Sequence, residues 1–292
     1  MKSIPSPQIR ITECPRDAMQ GFHEFIPTDD KAAYISTLLK VGFDVIDFGS
    51  FVSPKAIPQM RDTDAVLNKL DLSGSSSKLL AITANIKGAE AAVSFPQISY
   101  LGYPHALSPE FLRRNIHSDP QKSLMNMDAI LNLCFIKNKE LKVYVSMGFG
   151  NPYGEEWNTD LLEACVEELS RLGVRYIVLS DTIGTATTEK LKQVLSLIPP
   201  RFAHIRFGLH LHVKRENQKE LTSVALNYGN TDFEGVMFGK GGCPLTGYEM
   251  LGNFDNYSFI QYLTESEIDA GIHTDVIPLV NEWNNKIFNN LS

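Results

Sequence analysis

Three times along this chain a helix-period apolar stripe runs into a glycine, then a short β-rich run, then a polar loop. That repeated order restricts the fold more than any other feature. The first block carries Ile35, Leu38 and Leu39, then Gly42, then Asp44-Val45-Ile46-Asp47-Phe48. The second carries Leu161, Leu162, Cys165, Val166 and Leu169, then Gly173, then Tyr176-Ile177-Val178-Leu179. The third carries Leu221, Val224, Ala225 and Tyr228, then Gly229, then Glu234 to Phe238. Glycine just past a helix suits the left-handed cap position, where a side chain would strain the backbone. Thr28 reads as the cap of the first helix. Asp119-Pro120 reads as the cap and first turn of another, with Leu124, Met127, Ile130, Leu131 and Cys134 on its apolar face.

Further strand candidates are Ile9 to Cys14, Leu79 to Thr83, Ile98 to Leu101, Lys142 to Ser146 and Phe207 to His212. Eight strands, seven of them followed by helical segments, in fewer than 300 residues predict an α/β fold, a parallel (β/α)8 TIM barrel. Extra C-terminal helices around Ile277, Val280, Ile287 and Phe288 follow it, and the whole of 1–292 reads as one catalytic domain. A doubly wound sheet is the competing architecture, but no Gly-rich nucleotide fingerprint follows the first strand.

Composition removes several function classes. A net charge of -7 argues against a nucleic-acid binder, and Arg113-Arg114 and Lys214-Arg215 are only short basic pairs. No run approaches the ~18 apolar residues of a membrane span, so no membrane partner is expected. The cysteines Cys14, Cys134, Cys165 and Cys243 form no CxxC pair, which fits a reducing, cytoplasmic setting.

Parallel barrels gather their reactive residues at the C-terminal ends of the strands. The seventh strand ends in His210-Leu211-His212, and residues i and i+2 of a strand share a face, so both imidazoles project together. The first strand ends in Cys14-Pro15-Arg16-Asp17 and the second in Asp47 and Ser50 to Lys55. The sixth ends in Ser180-Asp181-Thr182-Ile183-Gly184, and the eighth opens into Gly239 to Pro244, followed by Leu251-Gly252-Asn253. One carboxylate, two imidazoles and one amide oxygen suit Mg²⁺, Mn²⁺ or Zn²⁺ with positions left for substrate oxygens. Any one of these Asp or Asn residues alone would read as a turn cap. Their convergence on one rim is what favours a site.

Thr12 to Gln20, the run Gly49-Ser50-Phe51-Val52-Ser53-Pro54-Lys55 with Pro58-Gln59-Met60, the Asp181-Thr182-Ile183-Gly184 turn and Gly241-Gly242-Cys243-Pro244 together resemble the 3-hydroxy-3-methylglutaryl-coenzyme A lyase family. The likeness covers nearly the whole chain in the right order. It implies a metal-dependent carbon–carbon lyase taking an acyl-CoA substrate with Mg²⁺ or Mn²⁺, working in leucine or ketone-body catabolism, and a homodimer. By resemblance Asp17, His210, His212 and Asn253 hold the metal. Arg16 faces the thioester carbonyl, and Cys243 sits in a loop that closes over substrate. Asp47 takes the place of a family acidic residue, and the general base is open among Asp47, Asp17 and a histidine. Gln20, Ser50, Asp181 and Thr182 are substrate contacts or orienters of the metal ligands, and Asn85 joins them more weakly.

The chain departs from the family pattern where Val213-Lys214-Arg215-Glu216 follows the histidine pair. That change removes a neighbouring carboxylate and brings two cations. Tyr257 replaces an acidic residue, with Asp255 as its substitute, and Gly21 to Glu24 also differs. Two other readings stay open: a lyase or condensing enzyme for a different 3-hydroxy-acyl-CoA, and a metal-binding barrel without activity.

Overall fold

A computed structural model describes residues 8–241 and 251–288. Eight parallel strands close into a barrel in sequence order: β1 (Arg10–Glu13), β2 (Val45–Ser50), β3 (Lys78–Ile82), β4 (Ile98–Ala106), β5 (Glu140–Ser146), β6 (Tyr176–Asp181), β7 (Arg206–Leu211) and β8 (Asp232–Gly235). Closure is made by β1 against β8, with Arg10 opposite Asp232 and Glu13 opposite Gly235. Every predicted strand is present. The eighth begins earlier and ends sooner than its apolar run suggests, because the chain turns into a short 3₁₀ segment at Met237–Gly239.

The helical predictions hold in placement, with one correction. Helix α2 (Thr28–Leu38) has Pro27 at its cap position, and the Thr28 hydroxyl instead donates to Asp62 Oδ2 at 2.7 Å. Asp119 caps α6 (Pro120–Ile136) by accepting from the Lys122 N–H at 2.8 Å. Gly173 ends α7 (Thr159–Leu172) at φ 100°. Among the described residues, two α-helices follow β8, namely α10 (Asn256–Glu265) and α11 (Ile277–Phe288).

Strand alternation sorts the barrel into two regions. Outward residues such as Ile11, Ile46, Leu101, Val143, Ile177, Leu209 and Phe233 join the helices in one large apolar core. Burial of that face supplies most of the stabilisation, at roughly 25 cal/mol per Å² of apolar surface. The interior is different. TIM barrels usually fill it with branched aliphatics, but here it holds Tyr100, Tyr144, Tyr176 and Val178 together with charges. At the lower end Arg206 reaches Asp232 Oδ2 from Nε at 2.6 Å, and the Tyr176 hydroxyl donates to the same oxygen at 2.8 Å. Above them Lys142 and Glu234 form an ion pair with both side chains at 0% exposure.

The segment 252–256 is what completes the upper rim. It threads between the ends of β7 and β8: the Val213 N–H donates to Gly252 O at 3.1 Å, Phe254 N–H to Leu211 O at 2.9 Å and Val236 N–H to Phe254 O at 2.9 Å. Gly235 permits this approach, since a Cβ there would lie 2.3 Å from the Phe254 carbonyl oxygen.

Glu13 ties this rim to β1 from the outside. Its carboxylate oxygens accept from the Met237 N–H at 3.0 and 3.1 Å and from Asn256 Nδ2 at 2.7 Å. Burial pushes the carboxyl up to about 8, outweighing those donors. A folded pKa above the ordinary 4.5 means the protonated side chain favours folding at low pH. That contribution is lost as pH rises through about 8. Urea midpoints are expected to fall between roughly pH 5 and 8, and Glu13→Gln, which mimics the protonated acid, to flatten that fall. An unchanged slope in the variant would assign the pH dependence to another group.

Candidate metal-binding active site

Two strand ends, those of β1 and β7, and the threaded segment bring the predicted ligands together. Asp17 lies in the first turn of the short helix α1 (Pro15–Gln20), which begins directly after β1 and keeps Arg16 and Asp17 buried. His210 and His212 project side by side at the end of β7, their ring centroids 5.4 Å apart. Ligand atoms of Asp17, His210 and His212 all lie within 4.8 Å of one another. Asn253 pairs with His212 through an antiparallel bridge, so the threaded segment delivers its amide to the same place.

The donor set fits a divalent cation. Among the described residues, Asp17 Oδ2 and Asn253 Oδ1 are buried oxygens without a hydrogen-bond donor, while Asn253 Nδ2 donates to the Lys240 carbonyl at 2.9 Å. Two free acceptor oxygens beside two imidazoles form a mixed N/O set of the kind Mg²⁺, Mn²⁺ and Zn²⁺ accept. Electrostatics agree. Burial alone would raise the Asp17 carboxyl, yet Arg16, His210 and His212 hold it below its ordinary value. Burial, then the neighbouring His210, pushes His212 down to about 4, so it presents a neutral ring with a lone pair.

Arg16 is fixed on several sides. Its Nε and Nη2 donate to Asp47 Oδ2 at 2.9 and 2.7 Å, and Nη1 donates to Gln20 Oε1 at 2.7 Å and Asp17 Oδ1 at 3.3 Å. Gln20 closes the triangle by donating from Nε2 to Asp17 Oδ1 at 2.7 Å. A planar guanidinium held this way is pre-organised and cannot lose its proton at working pH. Burial pushes the Asp47 carboxyl up to about 6, and Arg16 opposes the shift. With both oxygens on Arg16, Asp47 is built as an anchor.

The other sequence-predicted residues are placed less centrally. Ser50 Oγ donates to Ile82 O at 3.2 Å and accepts from Val52 N–H at 3.3 Å, shaping the loop after β2. Asp181 accepts from the Thr185 and Ala186 N–H groups at 3.0 and 2.7 Å, which commits its carboxylate to the loop after β6. Thr182 Oγ1 accepts from Met147 N–H at 3.4 Å. Asn85 caps helix α4 (Ile86–Val93) by accepting from Gly88 N–H at 2.9 Å. Cys243 lies outside the described residues.

Several of the departures from the family pattern lie where helices open. Lys214 and Arg215 open helix α9 (Arg215–Asn227) on the exposed surface. Tyr257 packs against Phe238 with centroids 5.2 Å apart and ring planes tilted by 42°, and Asp255 caps α10 by accepting from Tyr257 N–H at 2.9 Å.

Sequence reasoning missed Glu234 and Lys142. Glu234 Oε2 faces His210 Nδ1 at 3.4 Å, and Lys142 holds the other carboxylate oxygen. That contact supplies the histidine's carboxylate partner from β8, where the family places one after the histidine pair. Burial disfavours a charged His210, but Glu234 and Asp17 outweigh it and raise its pKa. Burial opposes the Glu234 anion as well, yet Lys142 and His210 bring it down to about 2. The available signal was a charge set between apolar neighbours in each strand, Leu141-Lys142-Val143 and Phe233-Glu234-Gly235.

Comparison with known proteins adds a consistent result. A family model described as HMGL-like matches residues 8–282. The human mitochondrial hydroxymethylglutaryl-CoA lyase is 31% identical over 280 residues, covering 94% of this chain and 83% of that protein. The fold matches a Bacillus subtilis HMG-CoA lyase structure at TM-score 0.90 and 27% identity, covering 97% of this chain and 94% of that one. It also matches an Acinetobacter baumannii HMG-CoA lyase in complex with coenzyme A and 3-methylmalate, at TM-score 0.89 and 26% identity, over 96% and 91% of the two chains.

Proposed function

Because this chain belongs to the HMGL-like family, we propose that it is a metal-dependent carbon–carbon lyase that cleaves 3-hydroxy-3-methylglutaryl-CoA to acetoacetate and acetyl-CoA. The observation that carries this reading is the convergence of Asp17, His210, His212 and Asn253 beside a clamped Arg16 on one barrel rim. Those four residues hold the divalent ion, Mg²⁺ or Mn²⁺ on the hardness of the two oxygens. When bound, the ion supplies Lewis-acid polarisation of substrate oxygens.

The chain's own groups do the rest. Loss of the C3 hydroxyl proton to a base lets the C2–C3 bond break, and the electron pair moves into the enolate of the acetyl thioester. Arg16 donates to the enolate oxygen. Its bonds to Asp47, Asp17 and Gln20 leave one Nη2 N–H without an acceptor among the described residues. A fixed donor of this kind favours the charge that develops in the transition state without reorganisation cost. Asp47 anchors Arg16, which leaves the base among Asp17 and the histidines. Cys243 delivers the proton that the enolate carbon takes up. Gln20 keeps Asp17 and Arg16 in register. Cytosolic leucine catabolism is the setting this activity fits.

The test is acetoacetate release from 3-hydroxy-3-methylglutaryl-CoA by chelator-stripped protein, before and after Mg²⁺ or Mn²⁺ is added. Cleavage restored by metal supports the proposal, whereas tight metal binding without cleavage would move the chain to another substrate. Asp17→Asn and His210→Ala are each expected to lower metal occupancy by at least about tenfold. Unchanged metal content in either variant would remove that residue from the ligand set.

A further inference from the structure

His210 belongs to two groups of candidate ligands, one from each side of its ring. Nε2 faces Asp17 Oδ2 at 4.0 Å, within the set assigned above. Nδ1 faces Glu234 Oε2 at 3.4 Å, and Cys14 completes a second group with His210 and Glu234 whose ligand atoms also lie within 4.8 Å of one another. Cys14 sits at the end of β1, 1% exposed, two residues beyond Thr12 and so on the same interior face.

We infer that Cys14, His210 and Glu234 form a second cation site, selective for a thiolate-binding divalent ion such as Zn²⁺, Co²⁺ or Cd²⁺, directly beneath the site for the hard ion. Two buried atoms in the group, His210 Nδ1 and Glu234 Oε2, face each other at 3.4 Å, and neither has a further partner among the described residues. Glu234 is fully buried, and Lys142 occupies only its other oxygen, so Oε2 is left for a ligand. Zinc bond lengths of about 2.0 Å to nitrogen and oxygen place such donors roughly 3.3 Å apart in a tetrahedral site. The separation of 3.4 Å between Nδ1 and Oε2 is of that size. Thiolate is the ligand that separates soft ions from Mg²⁺ and Mn²⁺. Binding forms S–metal, N–metal and O–metal bonds, and the thiol proton, with any proton on Nδ1, passes to solvent. No electron is transferred.

This inference goes beyond the lyase reading and can fail separately from it. The experiment is titration of the chelator-stripped full chain with Co²⁺ alone, recorded in the near-ultraviolet for a thiolate-to-cobalt charge-transfer band, with bound cobalt counted by metal analysis. The wild type and Cys243→Ser are expected to show the band. Cys14→Ser is expected to lose it together with one bound cobalt per chain. Cys14→Ala, which removes the sulfur without adding a hydroxyl, should behave likewise, and circular dichroism checks that both variants fold. Absence of the band in the wild type, or its survival in Cys14→Ser, overturns the second site. Mg²⁺-dependent acetoacetate release is read on the same samples, so a failure of the lyase reading is seen independently.

Discussion

Arg16→Gln is expected to retain the metal ion and to slow turnover by about 10²–10³-fold, the roughly 3–4 kcal/mol associated with losing one preorganised oxyanion donor. Glutamine is uncharged and shorter, so it cannot span from the Gln20 carbonyl oxygen to both oxygens of Asp47 as the guanidinium does. The ligand set is separate: Asp17 keeps its contact with Gln20, and His210, His212 and Asn253 come from other elements. The effect should therefore fall on kcat while metal content stays at the wild-type level. Turnover near wild type would remove Arg16 from the enolate role. Loss of metal along with activity would instead assign it to holding Asp17 in place.

Lys142→Met is expected to cost about 3–5 kcal/mol of stability, because it removes the buried ammonium that offsets the Glu234 carboxylate inside the barrel. Both side chains are fully buried, and Thr12 Oγ1 is the further hydroxyl partner of the lysine at 3.2 Å. The measurement is the urea midpoint of the metal-free protein. Lys142→Met combined with Glu234→Met separates stability from function. Replacing a buried ion pair by apolar groups of similar volume is commonly neutral or stabilising, so the double variant should regain most of the loss. His210 would still lack the carboxylate at its Nδ1. Outer-shell partners of this kind are worth about 10–100-fold in metal affinity. A double variant that is stable and binds metal as tightly as wild type would make the pair purely structural.

Much of the site was legible because it lies at positions that strand periodicity fixes. His210 and His212 are two apart at a strand end, and Arg16 and Asp17 follow the first strand within a residue or two of its predicted end. The order helix, glycine, strand gave the barrel for a similarly local reason: Gly42, Gly173 and Gly229 all adopt positive φ, as the cap reading requires. Asp181 is ambiguous in sequence: a carboxylate at a strand end has the same local signal whether it contacts substrate or holds its own loop, and in the fold it accepts the Thr185 and Ala186 N–H groups. The Lys214-Arg215 departure lies close to a ligand in sequence, yet both residues are exposed where α9 opens.

By itself the sequence determined the eight-stranded barrel, the rim on which chemistry gathers and the pair of imidazoles, because each depends on short-range periodicity and capping. Tertiary structure alone decided which carboxylate supports which ligand. Glu234 on β8 meets Lys142 on β5 across the barrel interior while its register neighbour His210 stands beside it on β7, and Asn253 meets His212 only because Gly235 lets another segment pass. Those contacts arise from barrel closure, which brings distant strands to a common axis and excludes water from it. No local pattern encodes where that axis lies.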